Sequence, residues 1–144
     1  MNGRLWFSLI IFVASNSYAA TYTDDGYCET KEYQELKMCL RHNMKLVDSK
    51  IESVTKEYKK VLDKKGLSKL ENSRENWESY VSSTCSLHLE SSKGGSITPI
   101  RSMSCRLNAG EKRLIELGCL LSYHKQDGNE YQKYCKVYFD KQKI

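Results

Sequence analysis

The chain has 144 residues, 28% charged and 40% apolar, and its 23 Lys and Arg against 18 Asp and Glu give a net charge of +5. That length suits one domain with a core of its own. Acids are interleaved through most of the basic stretches, which excludes the one-sided surface of Lys, Arg and aromatic residues that a nucleic-acid partner requires.

Residues 1–19 read as a secretory signal. Arg4 supplies the positive start, Leu5 to Ala14 is an apolar run shorter than the ~20 residues a membrane span needs, and Ser17-Tyr18-Ala19 places small residues for cleavage after Ala19. No Cys stands at that site, which argues against a lipid anchor, and no later run is apolar enough to span a membrane. Residues 20–144 then form the mature domain. The loss of Arg4, with no acid removed, lowers the net charge from +5 to +4. All six Cys follow the signal. An even count in an exported chain implies a disulfide framework and an oxidising compartment, which is the periplasm if the source is bacterial. No metal site is expected. The chain has no C-x-x-C, and His42, His88 and His124 show no ligand spacing.

Ala20 to Tyr27 is polar, and Cys28 pins it. Lys31 to Lys64 reads as a long first helix. Leu36, Leu40, Met44, Val47, Ile51, Val54, Tyr58 and Val61 recur at steps of three and four and hold one face, opposite a face of Lys and Glu. Such a helix also suits a homodimer interface. Gly66 reads as its terminator, with Lys64 and Lys65 against the C-terminal dipole. Ser68-x-x-Glu71 is a capping box that opens a second helix to about Leu89. Leu70, Trp77, Val81 and His88 form its stripe, Trp77 as a core anchor and His88 in a capping or packing role.

Ser91 to Ser104 reads as a loop, with Gly94-Gly95 permitting backbone angles closed to other residues and Pro99 fixing one φ. A phosphate cradle is excluded, because neither the Lys-Ser/Thr pair nor a preceding strand is present. A third helix follows from Cys105 to Tyr123 on the stripe Leu107, Leu114, Leu117, Leu121; Gly110 and Gly118 either weaken it or let another helix approach closely. Gln126-Asp127-Gly128-Asn129 is a turn. A short fourth helix runs from Glu130 to Lys141, and Tyr123, Tyr131 and Tyr138 are read as core rather than as the lining of a groove for a small ligand or peptidoglycan fragment. Cys119 and Cys135 lie nearly equidistant from that turn, which makes them the first expected disulfide. Cys85 with Cys105 is the second. Cys28 with Cys39 remains, with Cys105 or Cys85 as alternative partners for Cys39. The expected fold is all-α: a small disulfide-stapled helical bundle of three main helices plus a short C-terminal helix.

No catalytic constellation emerges. The cysteines are committed to pairs, no Ser occupies a nucleophile turn, and the acids fall on polar helix faces. The expectation is therefore a protein that is not an enzyme and uses no cofactor.

The ordered set Cys28, Cys39, Asp48, Ile51, Trp77, Cys85, Gly94-Gly95-Ser96-Ile97-x-Pro99, Cys105, Arg113 and Leu117 resembles the lysozyme inhibitor LprI-like family of exported bacterial proteins. The resemblance covers residues 28–117 and leaves 118–144 as a C-terminal extension. It departs from the family's commoner residues at Glu52, Arg74, Val81 and Gly110. It implies an inhibitor or immunity protein that blocks a muramidase, an enzyme that works with carboxyl groups in an open cleft. The expected contact is the tethered loop, Lys93, Gly94, Gly95, Ser96 and Ile97 with Arg101, its two cations set to pair with cleft carboxylates. The competing reading is a structural or envelope-stress protein of the periplasm without an enzyme target.

Overall fold

The computed structural model describes Cys28, residues 32–91, Gly95 and residues 97–141. The signal segment lies outside the described residues, as do Lys93, Gly94 and Ser96. Four helices and no strand occur among the described residues: α1 (Tyr33–Lys59), α2 (Lys64–Ser91), α3 (Thr98–Lys125) and α4 (Gly128–Lys141). The all-α expectation holds, and three boundaries move.

The first helix stops at Lys59 rather than Lys64. Lys56 and Lys59, not Lys64 and Lys65, occupy its last turn. Val61 lies beyond the helix and is exposed. The next helix opens at Lys64 instead of Ser68, because the Asp63 carboxylate accepts the Gly66 N–H at 2.7 Å and caps the new helix first. Gly66 therefore sits in the first turn of α2 rather than ending α1. The third helix begins at Thr98, two turns before Cys105, with Pro99 in its first turn. A first-turn proline gives up no helix hydrogen bond, and its fixed φ already matches a helix. Thr98 to Ser104, expected in the loop, therefore belong to the helix. At the far end Gln126 takes a left-handed φ of 54° and closes α3. Asp127 then accepts the N–H groups of Asn129 and Glu130 and starts α4.

The third helix is the axis of the molecule and packs against each of the others, whereas α1 and α2 pack on it far more than on one another. Val47 faces Gly110 and Tyr58 faces His124, so α1 and α3 run in the same direction. Ser73 meets Arg113 and Cys85 meets Cys105, so α2 runs against them. One core cluster, Leu40, Val47, Ile100 and Leu107 with Cys28, joins α1 to the start of α3. A second, Tyr58, Leu70 and Leu117, ties α1, α2 and α3 near the α1–α2 turn. Each such side chain contributes about 1.5–3 kcal/mol on burial. Both glycines of α3 mark close approaches. A Cβ on Gly110 would lie 2.9 Å from Val47 Cγ1, and one on Gly118 would lie 2.6 Å from the Tyr134 ring.

The disulfides pair Cys28 with Cys39, Cys85 with Cys105 and Cys119 with Cys135. The first pins the chain ahead of α1 to its second turn, the second joins α2 to α3 below the loop, and the third clamps α4 to α3.

Candidate functional site

Of the loop residues singled out by sequence, the structure describes Gly95, Ile97 and Arg101. Gly95 is exposed, and its carbonyl accepts the Thr98 N–H at 3.1 Å, turning the chain into α3. Ile97, directly ahead of α3, is half exposed. Arg101 is exposed and stands on the first turn of α3, not on the loop itself. The Cys85–Cys105 bond tethers the base of this end of the molecule.

A second feature was not visible from sequence. Because α1 and α2 both lean on α3 and diverge from their shared turn, a groove of about 720 Å³ opens between them. Asp48, Ile51, Glu52 and Lys56 form the α1 wall, and Arg74, Trp77, Glu78 and Val81 the α2 wall. Leu107, Gly110, Arg113 and Leu117 form the floor. Asp48, Ile51, Trp77, Arg113 and Leu117, which carry the family resemblance without being cysteine or loop, therefore converge on one surface. So do Glu52, Arg74, Val81 and Gly110, where the chain departs from it.

The groove is held rigidly. Arg113 is only 6% exposed; its Nη1 donates to Glu116 Oε2 at 2.8 Å and its Nη2 to Ser73 Oγ at 2.9 Å, which joins α3 to α2. The guanidinium carbon lies 6.0 Å from the centre of the Trp77 ring, within reach of a cation–π contact. Trp77 is thus a half-buried wall residue braced from one side, not the core anchor that its helical stripe implied. On the same wall Arg74 Nε donates to Glu71 at 2.9 Å and Nη1 to Glu78 at 2.6 Å. The Arg74 hydrogen bond holds the Glu71 carboxyl below its usual pKa range, and the same contacts push the Arg74 guanidinium further up. Lys59 approaches Glu71 at 3.9 Å and links α1 to α2 at the narrow end.

The α1 wall differs. Asp48 and Glu52 stand one helical turn apart and form no ion pair or hydrogen bond with the other described residues. Partial burial first, and then the Glu52 charge, raise the Asp48 carboxyl above its usual value.

Every cysteine is in a disulfide, so no thiol is present to act as nucleophile or metal ligand. No group of three or more His, Cys, Asp or Glu is placed to hold a metal among the described residues. Tyr123 and Tyr131 are 72% and 40% exposed, which corrects their reading as core, and neither they nor Tyr138 line the groove. No described helix is long and apolar enough to cross a membrane.

No curated protein and no solved structure matches the chain. The family model of the lysozyme inhibitor LprI matches residues 27–117. That span takes in α1, α2, both flanking disulfides and α3 as far as Leu117, where the groove floor ends, and leaves out the α4 clamp. On that match, over most of its length, the chain belongs to the LprI family of lysozyme inhibitors.

Proposed function

We propose that the protein is a periplasmic inhibitor or immunity protein that binds a peptidoglycan-degrading muramidase and blocks its cleft. The observation that carries this reading is the family match across residues 27–117. Residues 1–19 supply the export route, and the target acts in the same compartment. The tethered loop is the element that enters the cleft, with Lys93 and Arg101 offered to its carboxylates. The disulfide below the loop reduces the ordering cost of binding. The mature charge of +4 gives little long-range attraction to a strongly basic animal lysozyme, which favours a bacterial enzyme, such as an effector delivered by a rival cell.

The oxidised protein, mixed with a panel of animal and bacterial muramidases that includes any encoded by a neighbouring gene, is expected to inhibit at least one at micromolar concentration. Inhibition of none overturns the proposal. Replacing Gly94 to Ser96 with bulky residues is expected to abolish inhibition while the helical circular dichroism stays the same. Retained inhibition removes the loop from the contact.

A further inference from the structure

We propose that the groove between α1 and α2 is a docking cleft for a segment of the target enzyme that presents a Lys or Arg beside an apolar side chain. The inference rests on the muramidase reading and adds to it a second contact, away from the loop, with its own chemistry.

Three observations carry it. The first is position. Val81 lies one turn before Cys85 and Arg106 directly after Cys105, so the wide end of the groove starts where the disulfide fastens the loop.

The second is shape. Trp77, Val81 and Leu107 give the wide end an apolar lining, and Arg113 holds the half-buried Trp77 in place. The volume of about 720 Å³ falls within the range of pockets that take a few side chains rather than a whole domain. A braced Trp in a partly dry recess is the residue type and setting where binding energy concentrates.

The third is charge. Most of the cations in the groove are already committed: Arg113 to Glu116 and Ser73, Arg74 to Glu71 and Glu78, Lys59 to Glu71. The carboxylates of the α2 wall are committed with them. Asp48 and Glu52 are not, and they repel each other across one helical turn. Lys56 and Arg106 are the competing cations of the lining; both are exposed and neither comes within ion-pairing distance of these acids. A cation arriving from a partner relieves the Asp48–Glu52 repulsion and is drawn to the rim beside the Trp77 recess. Asp48 and Glu52, side by side on the wall of an apolar recess, complement a cation presented next to an apolar side chain.

The test uses the chain's tryptophans, Trp6 and Trp77. With Trp6→Phe and 5-fluorotryptophan labelling, one 19F signal reports on the groove whether or not residues 1–19 are removed. The labelled protein is titrated with each muramidase that the inhibition assay identifies. The expected result is a Trp77 shift that saturates with inhibition. Asp48→Lys with Glu52→Lys should weaken binding about tenfold or more, while Lys136→Ala, exposed on α4 and outside the groove, stays within about threefold. Should the Lys pair fail to fold, Asp48→Asn with Glu52→Gln serves, with a weaker loss in the same direction. Inhibition that persists with an unmoved Trp77 signal, or with unchanged affinity in the Asp48 and Glu52 variants, overturns the groove and leaves the muramidase reading standing. A panel in which no enzyme is inhibited overturns both.

Discussion

Asp48 costs the fold some stability once it ionises. Its raised pKa means that the folded state holds the proton more tightly than the unfolded chain does. Such a group favours the fold below its ordinary value of 3.8, and that contribution is lost as the pH rises through the higher folded value. Asp48→Asn should therefore melt above the wild type at neutral pH, and the gap should close at about pH 3, where both side chains are neutral. Thermal melts at the two pH values check this; an equal gap at both removes the electrostatic cause. Glu71 has the opposite sign: Arg74 lowers its pKa, so its contribution is present at neutral pH and lost on acidification. The contrast follows the two walls of the groove, one internally neutralised and one held in reserve. Sequence offered Asp48 as part of a family pattern but gave no sign that it would lack a partner among the described residues. That depends on where a second and a third helix place their cations.

At the scale of elements, the helices were legible in the periodicity of their apolar residues and their ends were not. Asp63 and Ser68 are both capping residue types, and Gly66 between them reads as a stop. The structure settles the competition in favour of Asp63, whose side chain reaches the Gly66 N–H and whose carbonyl accepts the Leu67 N–H at 2.9 Å. Asp63→Ala should cost about 1 kcal/mol, whereas Ser68→Ala, within a helix already under way, should stay within about 0.5 kcal/mol. Urea unfolding of the two variants measures the difference, and a larger loss from Ser68→Ala would restore the shorter helix. Pro99 misled for a related reason. A proline after two glycines reads as part of the loop, yet the same fixed φ is what a first helical turn wants. Trp77 misled differently. Its stripe placed it correctly on the inner face of α2, but an inner face is buried only where a neighbour covers it, and α1 has leaned away.

For the whole molecule, cysteine spacing was the most informative signal. The two thiols nearly equidistant from the turn at Gln126 to Asn129, and the two bracketing the glycine-rich loop, are joined in the structure. The last pair, Cys28 with Cys39, had other partners open to it on spacing alone. The groove was illegible because it is built from residues some thirty positions apart on three helices, with no local pattern to announce it. Its lining comes from α1, α2 and α3 alone. Cys119→Ser with Cys135→Ser should thus lower stability by about 3 kcal/mol, the loop-closure contribution of the bond, and leave muramidase affinity within about twofold. Denaturation alongside the inhibition assay separates the two effects, and a parallel loss of affinity would place the extension in the interface.

The separation of α1 from α2 has a consequence for how this architecture diversifies. The two arms behave like the jaws of a caliper with α3 as its beam. Gly110 sets how deeply the α1 jaw seats, since any Cβ there would meet Val47, and the Cys85–Cys105 bond fixes the other jaw. The gauge of the opening is therefore written at the seats of the jaws, while Asp48, Glu52 and Trp77 line their faces. Width and lining can therefore change independently, and one scaffold can carry a different opening after a few substitutions.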